Sequence, residues 1–185
     1  MIQEQQTVEL KPGLYGVNIE AARPRWYAAY TCANHEKKVS AQLERRHVEH
    51  FLPQYDSVRK WKDRKVHLQM PLFPGYVFVR LPLENRLRVL EVPGVARLVG
   101  FGGQPAALQD TEVEALRTCL QRKICLEPHR FVKVGQRVHV KSGPLQGLSG
   151  LVVRKKNGVR FVVSFDLIAR SASVEMDLAD LEPPV

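Results

Sequence analysis

The chain has 185 residues, of which 44% are hydrophobic and 25% are charged. This mixture is typical of globular proteins, and the length suits one medium domain or two small ones. The net charge of +9 favours a polyanionic partner such as nucleic acid over a merely basic surface. No apolar run approaches the ~18–20 residues that a membrane helix needs, which excludes a helical membrane protein.

The N-terminal residues and the cysteines indicate a cytoplasmic protein. The first ten residues are polar and acidic, and they lack the basic start and apolar stretch of a secretory signal. Residues 1–23 have no periodicity and are interpreted as a flexible N-terminal extension. Cys32, Cys119 and Cys125 form no CxxC pair and are odd in number, which predicts free thiols in a reducing compartment.

From Arg25 onward, strands and helices are predicted to alternate. Asn34 is a candidate N-cap for the first helix, in which Val39 and Leu43 share one face, and Asp110 is a candidate cap for the last. Strands are predicted at 26–31, 51–52, 55–60, 66–70, 76–80 and 95–99, and helices at 35–46, 83–90 and 111–122. This order predicts an α+β domain with a mainly antiparallel sheet flanked by helices.

After a predicted linker at 123–131, the pattern changes to short strands alone. Residues 137–141 alternate polar and apolar side chains, and Asn157-Gly158 is a strong hairpin signal. Further strands are predicted at 151–153, 160–165 and 172–177. Short strands without a helix predict a small SH3-like barrel.

Two segments together resemble the NusG family of transcription elongation factors. The resemblance to its NGN domain lies in three segments: Trp26-Tyr27 at the start of a strand, the helix start at 35–38 and the run 72–79. The resemblance to its KOW motif lies in 134–150. The resemblance implies an NGN domain at 24–122, a linker at 123–131 and a KOW domain at 132–184. It also implies a monomeric, non-enzymatic factor that needs no cofactor and modulates pausing or termination by RNA polymerase.

In this family, aromatic side chains of the NGN sheet receive the tip of the clamp helices of the polymerase β′ subunit. The matching positions are Tyr30, Phe73, Tyr76 and Phe78. The resemblance favours Tyr76 and Phe78 as partly exposed anchors, so that Phe78→Asp abolishes binding and leaves the fold intact; residue type alone favours a core role. A contact with the polymerase β subunit is implied within 84–88.

The specialised members of the family also contact the non-template DNA strand. The positions that carry this prediction are His35, Lys38 and Arg45 on the first helix and Lys62, Arg64 and Lys65 in the following basic turn. The alternative is a solvated helix face, which the nearby Glu36 and Glu44 favour.

The KOW domain of the general factor binds a small-subunit ribosomal protein or Rho. The matching positions are Leu167, Ile168 and Arg170, with Ile168 where the general factor carries an aromatic residue. This departure resembles the RfaH-type paralogues, implies antitermination at selected operons and weakens the case for Rho. Ile168 is either an exposed contact or a core residue. The β-branched strands favour a stable barrel over the helical form that covers the docking pocket in RfaH.

No catalytic or metal-binding constellation is found. His47 and His50 are three residues apart without completing ligands, and Gly100 to Gly103 lack the order of a phosphate-binding loop. The sequence therefore predicts neither an enzyme nor a metal protein. A ribosomal or RNA-binding KOW protein is the alternative function, although it leaves the first domain unexplained.

Overall fold

The computed structural model describes residues 23–61, 64–129, 136–155, 158–165, 168–176 and 180–182. The predicted extension before residue 23, Lys62 and Leu167 lie outside the described residues. Within those ranges, no helix has the length and apolarity to cross a membrane.

The first region is α+β, as predicted. Its elements are β1 (Arg25–Thr31), α1 (Glu36–Arg45), β2 (Glu49–Phe51), β3 (Gln54–Trp61), β4 (Arg64–Pro71), β5 (Tyr76–Leu81), a 3-10 turn (Leu83–Asn85), α2 (Leu87–Leu90), β6 (Val95–Leu98), β7 (Gly100–Phe101), β8 (Gln104–Pro105) and α3 (Asp110–Gln121). Four strands form an antiparallel sheet in the order β2-β5-β1-β6. The strands β3 and β4 form a separate two-stranded hairpin, as do β7 and β8.

The two faces of the four-stranded sheet are covered differently. Ala29 and Val77 lie on the face that packs against Val39 and Leu43 of α1, and all four side chains are fully buried. Burying a valine or leucine side chain contributes about 1.5–3 kcal/mol, so these contacts hold α1 on the sheet. The opposite face packs in one hydrophobic cluster with α3 and with the C-terminal region.

Three details of the predicted helices are wrong. Asn34 has φ 60 and is not the N-cap of α1; His35 holds that position and makes no side-chain capping bond. Asp110 lies in the first turn of α3, and the N-cap is Gln109. The helix predicted at 83–90 divides into the 3-10 turn and the single-turn helix α2.

The basic turn predicted at 61–65 is mostly strand. Trp61 is the last residue of β3 and pairs with Arg64, the first residue of β4. The glycine turn between β7 and β8 is confirmed, since Gly102 and Gly103 both have positive φ. A two-residue hairpin turn of this kind requires such angles at both positions.

The C-terminal region is all-β, as predicted. Its strands are β9 (Glu127–His129), β10 (Gln136–Val140), β11 (Ser149–Lys155), β12 (Gly158–Phe165), β13 (Arg170–Met176) and β14 (Leu181–Glu182). They pair in the order β14-β10-β11-β12-β13-β9. The expected hairpin is present, because Lys155 pairs with Gly158.

The strand β9 was not predicted. It lies within the expected linker and pairs with β13 through Glu127↔Ser173 and His129↔Ser171. Pro128 cannot donate a backbone hydrogen bond, which suits its place on the edge strand of the sheet. The C-terminal sheet therefore includes part of the segment that was predicted to be a linker.

Candidate functional site

The four aromatic positions predicted as a docking site come together on one side of the sheet. We call Tyr30, Phe73, Tyr76 and Phe78 the aromatic face. Tyr30 pairs across the strands with Tyr76, and the two ring centroids are 5.4 Å apart. Phe73 meets Phe78 edge-on, with 5.6 Å between centroids. Both distances are within the favourable range for aromatic pairs.

Exposure divides the aromatic face into two halves. Tyr30 is 37% exposed and Tyr76 is half-buried, as expected for an anchor, whereas Phe73 and Phe78 are each 1% exposed. The expectation that Phe78 is partly exposed is therefore wrong. Its ring lies between Phe73 and Phe51, whose centroid is 6.2 Å away, in the interior of the cluster.

This burial also corrects the expectation that Phe78→Asp leaves the fold intact. A carboxylate at Phe78 would lie where 1% of the side chain is accessible. Burying an unpaired charge costs several kcal/mol, which is comparable with the ~5–15 kcal/mol stability of a whole domain. Only the tyrosines test binding separately from folding.

Each tyrosine of the aromatic face lies under an arginine. The guanidinium carbon of Arg97, from the neighbouring strand β6, is 5.1 Å from the centroid of Tyr30. The guanidinium carbon of Arg170 is 5.7 Å from the centroid of Tyr76. Arg170 begins β13, so the C-terminal sheet reaches the aromatic face directly.

Ile168 is also buried. It is 3% exposed and belongs to the same hydrophobic cluster as Phe73 and Phe78. The reading of Ile168 as an exposed contact for a ribosomal protein is therefore wrong for this arrangement, and the core reading is confirmed. Leu167 lies outside the described residues.

Arg117 of α3 is a feature that sequence reasoning missed. Its guanidinium carbon is 4.7 Å from the Trp26 ring centroid and 5.4 Å from that of Phe51. It forms ion pairs with Glu49 at 3.5 Å and with Glu114 at 3.3 Å. Its ion pair with Glu114 is local, but its ring partners and Glu49 come from β1 and β2, so the sequence alone does not mark it.

The predicted DNA-binding residues of α1 share one helix face. Lys38 and Arg45 are exposed and seven residues apart, and His35 is half-buried one turn before Lys38. The Nδ1 atom of His35 is 2.9 Å from the carbonyl oxygen of Ala33. The adjacent Arg46 is engaged elsewhere, since it donates to the Glu91 carbonyl at 3.3 Å.

The remaining predicted DNA-binding residues belong to the β3–β4 hairpin. Arg64 and Lys65 are exposed at the start of β4. They therefore lie in a different sheet from the one that α1 covers. The single basic surface that the sequence suggested, made of the α1 residues and the hairpin residues, stays a prediction.

Two residues of the core have shifted pKa values. Burial raises the pKa of the Cys119 thiol to about 11, against a smaller opposing effect of Arg122. Burial also raises the pKa of Tyr27. All three cysteines are free thiols, as predicted, with Cys32 and Cys125 exposed. In the described parts of the chain, no group of three His, Cys, Asp or Glu side chains is arranged as metal ligands.

An α+β domain with a four-stranded antiparallel sheet and flanking helices, followed by an all-β region, is the architecture of the NGN–KOW class. A family model described as "Transcription termination factor nusG" matches residues 24–117. The chain belongs to the NusG family.

Full-length relatives agree with this assignment. The transcription termination/antitermination protein NusG of Staphylococcus carnosus (strain TM300) is 29% identical over 182 residues, covering 88% of this chain and 97% of that protein. Its counterpart in Escherichia coli (strain K12) is 28% identical over 179 residues, covering 88% and 98%. A solved structure described as "Domain interaction in Thermotoga maritima NusG" aligns with a TM-score of 0.54 and 25% identity, covering 89% of this chain and 99% of that one. These relatives support a transcription termination/antitermination factor.

Proposed function

We propose that this protein binds elongating RNA polymerase through the aromatic face and modulates pausing and termination. Tyr30 and Tyr76 carry the proposal, because their adjacent rings remain accessible above a buried phenylalanine layer. The occupant is the tip of the β′ clamp helices. Tyrosines are frequent anchors of such interfaces, since they supply a large apolar surface together with a polar hydroxyl.

In this proposal, the two halves of the aromatic face have different roles. Phe73 and Phe78 form the floor and keep the sheet surface in place, while the two tyrosines make the contact. The action on polymerase is mechanical: the factor bridges the two sides of the cleft, with residues 84–88 toward the β subunit. No chemical step is required of the protein.

The C-terminal domain competes for the same surface. Arg170 lies over Tyr76, so the clamp helices have to displace it before they reach that ring. When only a fraction of the molecules is in the binding-competent form, the apparent affinity is reduced in proportion to that fraction. The same displacement would release Arg170 for a ribosomal protein or Rho.

The basic face of α1 suits the non-template DNA strand. Lys38 and Arg45 are exposed on one side of the helix, where they can follow the phosphates of a single strand. A specialised paralogue that acts on selected operons would use this contact for recruitment. We place the protein in the cytoplasm as a monomer. The first domain covers 24–122, and β9 (Glu127–His129) extends the C-terminal domain, expected at 132–184, toward the first domain.

Polymerase capture tests the proposal. The double variant Tyr30→Ala/Tyr76→Ala is expected to lose more than about tenfold in affinity, because truncating two central anchors removes more than about 1.4 kcal/mol. Phe101→Ala is the matched control, since this ring is 74% exposed on β7 and is not part of the aromatic face.

An elongation assay on a paused template then separates suppression of pausing from antitermination. A folded double variant that retains wild-type affinity would contradict the docking site. Capture of ribosomal RNA without polymerase would favour the RNA-binding alternative.

A further inference from the structure

A buried carboxylate connects α1 to the aromatic face. Glu36 is 5% exposed, and the backbone N–H of Gly75 donates a hydrogen bond to its Oε1 atom at 2.7 Å. The two residues are 39 positions apart in the chain. Glu36 therefore gives no support to the alternative of a solvated helix face, because it is not itself solvated.

Gly75 forms the turn that positions Tyr76. Its carbonyl accepts a hydrogen bond from the Thr31 N–H at 2.8 Å, and the Tyr76 N–H donates to the Phe73 carbonyl at 3.1 Å. Gly75 has φ +85, and an ideal Cβ there would be 3.4 Å from the Tyr30 ring. The N–H and the carbonyl of Gly75 are thus both held by specific partners. Glu36 is the partner of the N–H group.

The position of Glu36 favours a charged acceptor. It lies in the first turn of a 10-residue helix, where the free N–H groups and the helix dipole stabilise negative charge. A hydrogen bond to a carboxylate is stronger than one between neutral groups. The carboxylate therefore has the geometry and the environment to fix the Gly75 peptide.

We propose that Glu36 is a positioning residue for polymerase docking. By holding Gly75, it sets the turn that keeps the Tyr76 ring 5.4 Å from that of Tyr30. It also joins α1, with its DNA-facing residues, to the polymerase-facing turn. This inference rests on the proposed function of the aromatic face.

Two substitutions separate reach from charge. Glu36→Gln keeps an oxygen acceptor at the same distance from Gly75 and loses the charge. Glu36→Asp keeps the charge at the helix N-terminus and withdraws the acceptor by one methylene. Glu44→Ala removes an exposed carboxylate from the same helix and is the matched control.

The full chain is used throughout, with two readouts. Polymerase affinity is measured by biolayer interferometry, and the Gly75 amide is followed by its proton shift and its exchange rate in NMR spectra. We expect Glu36→Gln, which keeps the acceptor but forms a weaker neutral hydrogen bond, to bind about threefold more weakly than wild type. We expect Glu36→Asp to bind about tenfold more weakly, with a faster-exchanging Gly75 amide. Glu44→Ala is expected to bind like wild type.

The outcomes distinguish this inference from the function on which it rests. Wild-type binding by Glu36→Asp, with weaker binding by Glu36→Gln, would assign Glu36 to helix stability and overturn the positioning role. Absence of polymerase binding by the wild-type chain would overturn the proposed function itself, and the inference with it.

Discussion

Arg170→Ala is expected to increase the affinity of the full chain for RNA polymerase. The Arg170 guanidinium carbon is 5.7 Å from the Tyr76 centroid, near the ~6 Å limit for a cation–π contact, and Arg170 is exposed. Such a contact contributes about 0.5–1 kcal/mol. Removing it shifts the equilibrium away from the arrangement in which Arg170 covers Tyr76. This shift corresponds to roughly two- to fivefold tighter binding of polymerase.

The measurement is an equilibrium titration of labelled protein with polymerase core enzyme. Lys141→Ala is the matched control, because it removes the same charge from an exposed position next to β10. Thermal unfolding of both variants excludes a loss of folded protein.

Two results would refute the competition. Unchanged or weaker binding by Arg170→Ala would mean that this contact does not restrict access to Tyr76. An equal gain in Lys141→Ala would assign the effect to net charge.

Arg117→Ala is expected to destabilise the first domain by about 2 kcal/mol, because two ring contacts and two ion pairs are lost. The melting temperature of the domain is then expected to fall by roughly 10 °C. A calorimetric shift below roughly 2 °C would contradict this. Reversing Lys38 and Arg45 to glutamate should weaken binding of single-stranded non-template DNA and reduce the slope of log affinity against log salt by about 1.4, and an unchanged slope would reject the contact. The raised pKa of Cys119 predicts that a thiol reagent modifies two of the three cysteines in the native protein. In the unfolded chain the Cys119 thiol has its ordinary pKa of 9.0, so the stability gained by burying the neutral thiol is present below pH 9.0 and is lost as the pH rises toward about 11. Unfolding midpoints measured from pH 8 to 11 are expected to fall with rising pH.

Elements with a strong local pattern were predictable from the sequence. The run Tyr76 to Arg80 is β-rich after a Pro-Gly turn, and Val39 and Leu43 have helical spacing, so β5 and α1 appear where expected. The strand β9 has no such pattern. Its pairing depends on β13, more than forty residues later in the chain, and Pro128 argued against a strand.

The sequence predicted which residues form the aromatic face but not which of their side chains are exposed. Alternation along β5 placed Tyr76 and Phe78 on one side of the sheet, and the register confirms this. Alternation cannot distinguish a strand end from a strand centre, and that difference leaves Tyr76 accessible and Phe78 covered. Glu36 was missed for a related reason, since its partner Gly75 is distant in sequence.

Because β9 is held by β13, the length of chain between the two domains is short. Only residues 122–126 separate the end of α3 from β9, and Leu126 among them is buried. A stretch of this length spans at most roughly 20 Å when fully extended. If Arg170 leaves Tyr76 while β9 stays paired, the C-terminal domain remains tethered nearby at a high effective concentration. Its return then competes continuously with any bound helix tip, and unpairing of β9 would lengthen the tether and relieve that competition.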